Sequence, residues 1–463
     1  MHKTISLFLL LFGPISLSLA QKIDVNALDN HIKELVAGPG IAGASVIVAK
    51  GNDILLNKGY GYAHLGLKVP ATEKTKYFVI GAFDILNAAL VFNLQEQNKL
   101  QLDDYVTKYL DGLPASFDKI KIRHLMNCTS GVPDYHYLGD RFENRMYTPD
   151  ELIGLIKDLD FVIEPGQTAD WSSSNMLLIT QVIAKITGKT YQDFFKESFI
   201  QPLGLKGIEY IEYQKTIDGF SEGYRGAAMT PPALFPSTAS HYRYGPSRRF
   251  ASTAEDFYAI WNYIKTGGFI SKRNFELILS KEEAIKNNSA HFQYGIRLQN
   301  EDDLEFFGYQ GSVLSGGFSS MLYYNVDSDI TIVVLSNTDG HSAGNIGSSV
   351  ARYIFDLPQK QNNRRNKGPL EDLPLPEGWA EKFPNSFTIR RNANNSSPRT
   401  YFYHYERREK VCIQNNRLAI CTPGAIPEVL LRQTDGSFRF KNRPWLNWEI
   451  DLEKLTVTEA RKL

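Results

Sequence analysis

The segment FDILNAALVFNLQEQN, residues 83–98, is rich in apolar side chains and contains neither glycine nor proline. Its apolar residues recur at helical spacing over about four turns, which predicts one long helix. Because apolar side chains point to most sides of this helix, other elements have to cover it. The fold must therefore be built around a buried helix in the first part of the chain.

Strand-like runs of residues are expected to form a sheet that covers this helix. Residues 42–49 and 54–56 are two such runs, and the glycine and the Asn-Asp pair between them predict a hairpin turn. Residues 319–324 and 330–335 predict two further adjacent strands. A second helix is predicted at about 176–186, ending before Gly188, because glycine tolerates the positive φ that ends helices. Helices packed on a sheet make an α+β fold.

The length of 463 residues exceeds what one hydrophobic core usually serves, so two folded units are expected. Residues 25–356 would form the first. After about Asp356 the sequence becomes polar, basic and proline-containing, and 357–386 is typical of a linker. Over 387–463, short apolar runs alternate with Asn-Asn, Pro-Gly and Asp-Gly pairs, which predicts a small all-β C-terminal domain.

The charge balance excludes one class of partner. Lys+Arg and Asp+Glu number 51 each, so the formal net charge is +0 and no overall field attracts polyanions. Nucleic acid is therefore not an expected partner. The nine histidines show no HExxH pattern and the three cysteines no CxxC pattern, so neither a metal site nor a cofactor is predicted.

Residues 1–20 have the layout of a secretory signal peptide. Lys3 precedes an apolar run through Phe12, and Ser18-Leu19-Ala20 forms a small-x-small cleavage site. A glycine and a proline interrupt the apolar run, and no later stretch is long enough to span a membrane. The mature protein is expected to start at Gln21 and to be periplasmic or secreted.

Six short segments, in order along the chain, are similar to motifs of one enzyme family. They are GYGYA at 59–63, NKLQLDD at 98–104, TSGVP at 129–133, PG at 165–166, STAED at 252–256 and GFSS at 317–320. At these spacings the chain resembles the penicillin-recognising serine hydrolases: class C β-lactamases, D-alanyl-D-alanine peptidases and related esterases. The resemblance implies a β-lactamase-like fold, with an antiparallel sheet flanked by helices and a further helical part.

The resemblance also implies a catalytic apparatus and its place. The family uses the serine and lysine of an SxxK motif at the start of a buried helix, and a tyrosine in a YxN loop relays protons. A KTG or HxG segment on an edge strand binds the acidic end of the substrate, and backbone N–H groups form the oxyanion hole. Peptides and small esters are the implied ligands.

None of these three motifs is intact in this sequence. The family positions fall on Ala82 and Ile85 for SxxK, Trp171 and Ser173 for YxN, and Tyr309 and Gly311 for HxG. The implied ligand-binding positions are Ala82, Trp171, Ser173, Tyr309 and Gly317. Alanine has no nucleophilic atom, isoleucine cannot carry a proton, and an indole nitrogen is only a donor. The sequence therefore indicates a homologue that lacks the family's chemistry.

Three functional interpretations follow from this. The first is a catalytically inactive homologue whose cleft binds a peptide, a small ester or a protein partner. The second is a residual esterase or peptidase that uses unconventional residues. The third is a structural or assembly protein with a vestigial cleft, which a filled, apolar environment around Ala82 and Ile85 would favour.

Six candidate residues each have a simpler structural interpretation. Asp84 is expected to complement the dipole of the buried helix. Ser172, Ser173 and Ser174 are expected to lie in a loop, where serine clusters are common. Tyr309 could bind a ligand or act as a base, although a tyrosine on a strand is more often packed. Cys128 is expected to be a buried, inert thiol.

A disulfide between Cys412 and Cys421 is predicted from hairpin geometry. A two-residue turn at Asn416 and Arg417 would pair Asn415 with Leu418 and, three steps further out, the two cysteines. Facing cysteines in a non-hydrogen-bonded pair lie near the lower end of disulfide reach, and an exported protein meets oxidants.

Overall fold

The computed structural model describes residues 23–359 except 80, 82–83, 136–146, 162, 170, 213–215, 226–234, 237–249, 281–284, 288–289 and 314–316, and the backbones of seven strands between 386 and 459. The helices are α1 Val25–Ala37, α2 Asp84–Glu96, α3 Ile122–Met126, α4 Pro149–Ile156, α5 Ser173–Thr187, α6 Tyr191–Phe195, α7 Gln201–Leu203, α8 Ala254–Lys265, α9 Lys272–Leu279 and α10 Ser342–Ile354. Short 3-10 helices lie at Val106–Lys108 and Ala115–Lys119, and a π-helical turn at Lys196–Ile200 joins α6 to α7.

The strands of the first part are β1 Gly43–Lys50, β2 Asp53–His64, β3 Val69–Pro70, β4 Tyr77–Val79, β5 Ile208–Tyr210, β6 Tyr224–Arg225, β7 Phe235–Pro236, β8 Phe250–Ser252, β9 Ile285–Asn287, β10 Ala290–Gln293, β11 Ile296–Glu301, β12 Leu304–Val313, β13 Phe318–Asn325 and β14 Ile330–Ser336. Nine of them form one antiparallel sheet in the order β3-β2-β1-β14-β13-β12-β11-β10-β9. The N-terminal hairpin therefore pairs with strands from the far end of the domain.

Both faces of this sheet are covered, as its side-chain alternation requires. In β1, Val46 and Val48 belong to a core shared with α1 and α10, whereas Ile47 and Ala49 belong to the larger core on the other face. That larger core contains α2, whose side chains from Asp84 to Phe92 are all buried. The predicted buried helix, both predicted strand pairs and the α+β class are thus present.

The predicted second helix, α5, starts earlier than expected, at Ser173, and ends at Gly188 in the left-handed conformation, with φ 67°. The N-terminal hairpin turns at the predicted place, because Lys50 pairs with Asp53 across a two-residue turn. Within the described residues, no helix is long and apolar enough to cross a membrane. Residues 1–20, the predicted signal peptide, lie outside the described residues.

The C-terminal strands are β15 Ser386–Asn392, β16 Arg408–Gln414, β17 Arg417–Ile420, β18 Glu428–Arg432, β19 Phe438–Phe440, β20 Arg443–Asp451 and β21 Thr456–Glu459. Consecutive strands pair antiparallel, as hairpins predict, and a parallel pairing of β15 with β21 closes them into a barrel. Closure leaves no free edge strand in a sheet this small. Of the predicted linker, residues 357–359 and the first residue of β15 are described.

The predicted position of the turn that would align Cys412 with Cys421 is wrong by one residue. Gln414 pairs with Arg417, so the two-residue connection is 415–416, and Cys412 faces Ala419. Cys421 lies outside the described residues, so the disulfide stays a prediction.

Candidate functional site

The start of α2 is the position where the resemblance places the nucleophile. Ala82 itself lies outside the described residues, but Gly81 and Asp84 on either side are described, and the Asp84 N–H donates to the Gly81 carbonyl at 2.9 Å. Ile85, at the lysine position, is 1% exposed and lies within the larger core. A side chain in this place is surrounded by apolar groups and cannot hold or pass on a proton.

The third motif meets the first in space. A Cβ atom added to Gly81 would lie 2.6 Å from Cε1 of Tyr309 and 2.7 Å from Cα of Gly311. Gly81 also has φ +75°, which favours glycine. The lack of space for a Cβ and the positive φ both favour glycine at position 81. The Tyr309 ring packs directly against Gly81, shortly before α2 begins.

Alternation along β12 fixes which way these side chains point. Phe307, Tyr309 and Gly311 share the sheet face toward α2, and Tyr309 is 8% exposed. Gln310 points to the opposite face, because a Cβ added to Gly344 of α10 would overlap the Gln310 side chain. Of the HxG-like segment, only the first and third residues reach the candidate site.

Gly317 is packed against backbone. A Cβ there would lie 2.5 Å from the Tyr224 amide nitrogen, and that amide donates to the Gly317 carbonyl at 3.2 Å and to the Asn337 carbonyl at 2.8 Å. With φ +73° as well, the position needs glycine for close approach of the chain. In the described residues, this contact gives Gly317 a structural role that the sequence did not reveal.

The second motif lies at the start of α5. Trp171 is partly buried and packs against the larger core. Ser172 caps the helix, since its side chain accepts a hydrogen bond from the Ser174 amide at 3.2 Å. The serines were expected in a loop, but they begin a helix, because a serine hydroxyl satisfies one of the free N–H groups there.

The hydroxyl groups of this serine run are committed to structural partners. Ser173 donates from its amide at 3.0 Å and from Oγ at 3.1 Å to Oδ2 of the buried Asp134. Ser174 Oγ donates to the Pro133 carbonyl at 2.5 Å. These bonds attach the start of α5 to Pro133 of the TSGVP segment and to Asp134, which follows it, so the serines hold this loop rather than present a nucleophile.

Buried polar groups lie in the first two turns of α2. Asp84 is 2% exposed in the first turn, where its carboxylate complements the positive end of the helix dipole. Tyr191 OH donates to Asn87 Oδ1 at 2.6 Å. Burial, followed by the charge of Asp84, raises the pKa of Tyr191 well above its usual value. Sequence reasoning missed this pair; its signal was the asparagine within an otherwise apolar helix.

Other candidate chemistry is not assembled in the part of the chain that the structure describes. No group of three or more His, Cys, Asp or Glu side chains there could hold a metal ion. Cys128 is 3% exposed, as a structural thiol would be. A surface depression of about 1030 Å³ lies between α4, the end of α5 and residues 109–113, and its lining includes none of Ile85, Trp171, Ser173 or Tyr309.

Comparison with known proteins shows the family of this chain. The family model described as Beta-lactamase matches residues 28–351. Penicillin-binding protein 4* of Bacillus subtilis (strain 168) is 24% identical over 350 residues, covering 70% of this chain and 75% of the relative. Protein flp of Staphylococcus aureus (strain MW2) is 23% identical over 319 residues, covering 67% of this chain and 62% of the relative.

Two solved structures share the fold. The octameric penicillin-binding protein homologue from Pyrococcus abyssi superposes with a TM-score of 0.64 at 17% identity, covering 93% of this chain and 97% of that one. D-amino acid amidase from Ochrobactrum anthropi SV3 has a TM-score of 0.62 at 19% identity, covering 71% and 98%. The sheet, the buried helix and the matched residues together establish that this chain belongs to the β-lactamase family.

Proposed function

We propose that this chain is an exported, non-acylating member of the β-lactamase family, whose cleft binds a peptide, a small ester or a protein partner. The observation that carries the proposal is Ile85, buried to 1% exposure at the position of the family's lysine. The signal-like residues 1–20 support export.

The chemistry of acyl transfer supports the same proposal. Alanine at 82 offers no attacking atom, isoleucine at 85 no proton acceptor, and the Trp171 indole no lone pair for a base. In a Ser-His-Asp protease, loss of the serine or the histidine alone costs about a millionfold in turnover, and we expect a loss of similar size here. Three substitutions in one site leave binding, rather than catalysis, as the use of the cleft.

Restoring the first motif is expected to give at most feeble hydrolysis. In the double variant Ala82→Ser with Ile85→Lys, the new ammonium enters the apolar core, where desolvation disfavours its charge. Release of p-nitrophenol from p-nitrophenyl acetate, compared with the unsubstituted chain and with Ala82→Ser alone, measures the gain. Robust turnover by the double variant would show that Trp171 and Tyr309 do not block the chemistry. Turnover by the unsubstituted chain would favour a residual hydrolase.

A second candidate function is assembly with a vestigial cleft. It is favoured by the burial of Ile85 and Tyr309, which fill the described part of the centre with apolar groups. The similarity to an octameric homologue over 93% of the chain supports it too. Under this candidate, light scattering after size-exclusion chromatography at micromolar concentration should give a mass several times that of one chain, which is 52.4 kDa with residues 1–20 included. The mass of a monomer at all concentrations would contradict this second candidate function.

A further inference from the structure

The surface depression beside α4 lies apart from the family's catalytic positions. Its volume of about 1030 Å³ is at the upper end of the range that ligand pockets occupy, roughly 300–1,000 Å³. Four residues of α4 line it at the spacing i, i+3, i+4 and i+7, which puts them on one face of the helix. We call this depression the α4 groove; its lining includes Asp150, Ile153, Gly154 and Lys157 of α4 and Ala184 and Lys185 of α5.

Gly154 leaves space on this face of α4. It lies inside the helix Pro149–Ile156, and a Cβ added to it would meet no atom of the described residues within 4 Å. A glycine inside a helix destabilises that helix relative to alanine. Since neither the backbone conformation nor the packing of the described residues requires glycine here, its effect is to keep this part of the groove open.

The same helix face carries one unpaired charge of each sign. Among the residues that the structure describes, neither the Asp150 carboxylate nor the Lys157 ammonium has an ion-pair or hydrogen-bond partner. They stand seven residues apart, which is about 10 Å along a helix that rises about 1.5 Å per residue. By contrast, Lys185 in the same lining pairs with Asp111 at 3.0 Å. The face therefore offers an anion and a cation at a fixed separation.

Apolar side chains make up another part of the lining. Ile153 lies between the two charges on α4, and Tyr147, Tyr191 and Tyr210 also line the groove. Tyr191 is buried, and its hydroxyl donates to Asn87 of α2 at 2.6 Å, which fixes its position. Aromatic side chains present large, stiff, mostly apolar surfaces. An occupant with apolar side chains thus finds a fixed surface on which to pack.

We propose that the α4 groove binds a short zwitterionic peptide of about three residues with apolar side chains. Its amino group pairs with Asp150, its carboxylate pairs with Lys157, and its middle residue crosses Gly154. Three extended residues span about 10 Å at roughly 3.3 Å each, which matches the separation of the two charges. This site is separate from the cleft of the proposed function and does not depend on it.

A ligand-observed NMR titration of the full chain with the tripeptide alanyl-leucyl-alanine tests the site. We expect saturable binding, with a Kd in the millimolar range or tighter, because exposed ion pairs contribute little each. The same peptide with an acetylated amino group and an amidated carboxylate should bind at least about threefold more weakly, since it loses both ion pairs.

Two variants at one position show whether the peptide lies in the α4 groove. Gly154→Phe fills the open space and should raise the Kd at least about tenfold, because the new ring clashes with the peptide. Gly154→Ala adds one carbon that no described residue contacts, and it should change the Kd by less than about threefold. Where Gly154→Phe fails to fold by circular dichroism, Gly154→Leu takes its place.

Lys157→Gln separates binding from helix stability. It should weaken binding of the peptide with a free carboxylate at least about twofold and leave binding of the amidated peptide unchanged, because only the carboxylate pairs with the ammonium. If Lys157 served only to complement the α4 dipole, its replacement would affect both peptides equally.

The absence of saturable binding at millimolar peptide would overturn the proposal. Equal Kd values for the unsubstituted chain and Gly154→Phe would overturn it as well, as would equal Kd values for the free and the blocked peptide. None of these outcomes bears on acylation, which is read from the mass of the chain after treatment with benzylpenicillin. Failure of this site and failure of the proposed function are therefore separate outcomes.

Discussion

Replacement of Arg352 by methionine is expected to lower the free energy of unfolding by about 3–5 kcal/mol, because it leaves a buried carboxylate without its cation. The Arg352 side chain is 4% exposed, and Nη1 donates to Glu301 Oε2 at 3.1 Å, where the Glu301 side chain is 6% exposed. Nη2 donates to Asp302 at 2.5 Å, and Nε donates to the Pro358 carbonyl. One guanidinium thus joins α10, the β11–β12 turn and the chain that leaves the domain.

Urea denaturation followed by circular dichroism measures the loss. The matched control is Lys185→Met, which breaks an exposed ion pair with Asp111 at 59% and 88% exposure and should change stability by no more than about 1 kcal/mol. Adding Glu301→Gln to Arg352→Met should recover part of the loss, since a neutral amide is less costly to bury than a charge. Equal effects of Arg352→Met and Lys185→Met would contradict the role given to the buried pair.

Local sequence patterns predicted the elements of this fold well. The helix α2 was visible because apolar spacing and the absence of glycine and proline are properties of one continuous segment. The β1–β2 hairpin was visible because its two-residue turn contains glycine. The sequence could not show that β1 lies between β2 and β14, because strand order depends on contacts between distant segments.

The sequence predicted the candidate site as a set of missing groups, and this stays a prediction. The sequence could not show which side chains pack beside the described residues of the site. The contact of Gly81 with Tyr309 joins residues far apart in the sequence, and only the folded chain shows it. The serines at 172–174 were misplaced into a loop, because their partners, Asp134 and the Pro133 carbonyl, lie in another segment. The turn before Cys421 was off by one position, because two adjacent asparagines allow two registers.

The largest expected effect is the absence of acyl transfer. Relative to a family member with intact motifs, turnover of β-lactams and activated esters should be lower by at least about a millionfold, since nucleophile, lysine and tyrosine are all replaced. Among the described residues, the Ser173 and Ser174 hydroxyls donate to Asp134 and to the Pro133 carbonyl, so we expect neither to replace the missing nucleophile.

Intact-mass spectrometry after incubation with benzylpenicillin, and separately with a fluorophosphonate, tests this claim most directly. A family member with an intact SxxK serine, treated in parallel, shows that the reagents are active. The chain is expected to keep its unmodified mass with both reagents, because position 82 has no nucleophilic atom. A stoichiometric adduct, mapped by peptide analysis to the start of α2 or to Ser172, Ser173 or Ser174, would contradict the account.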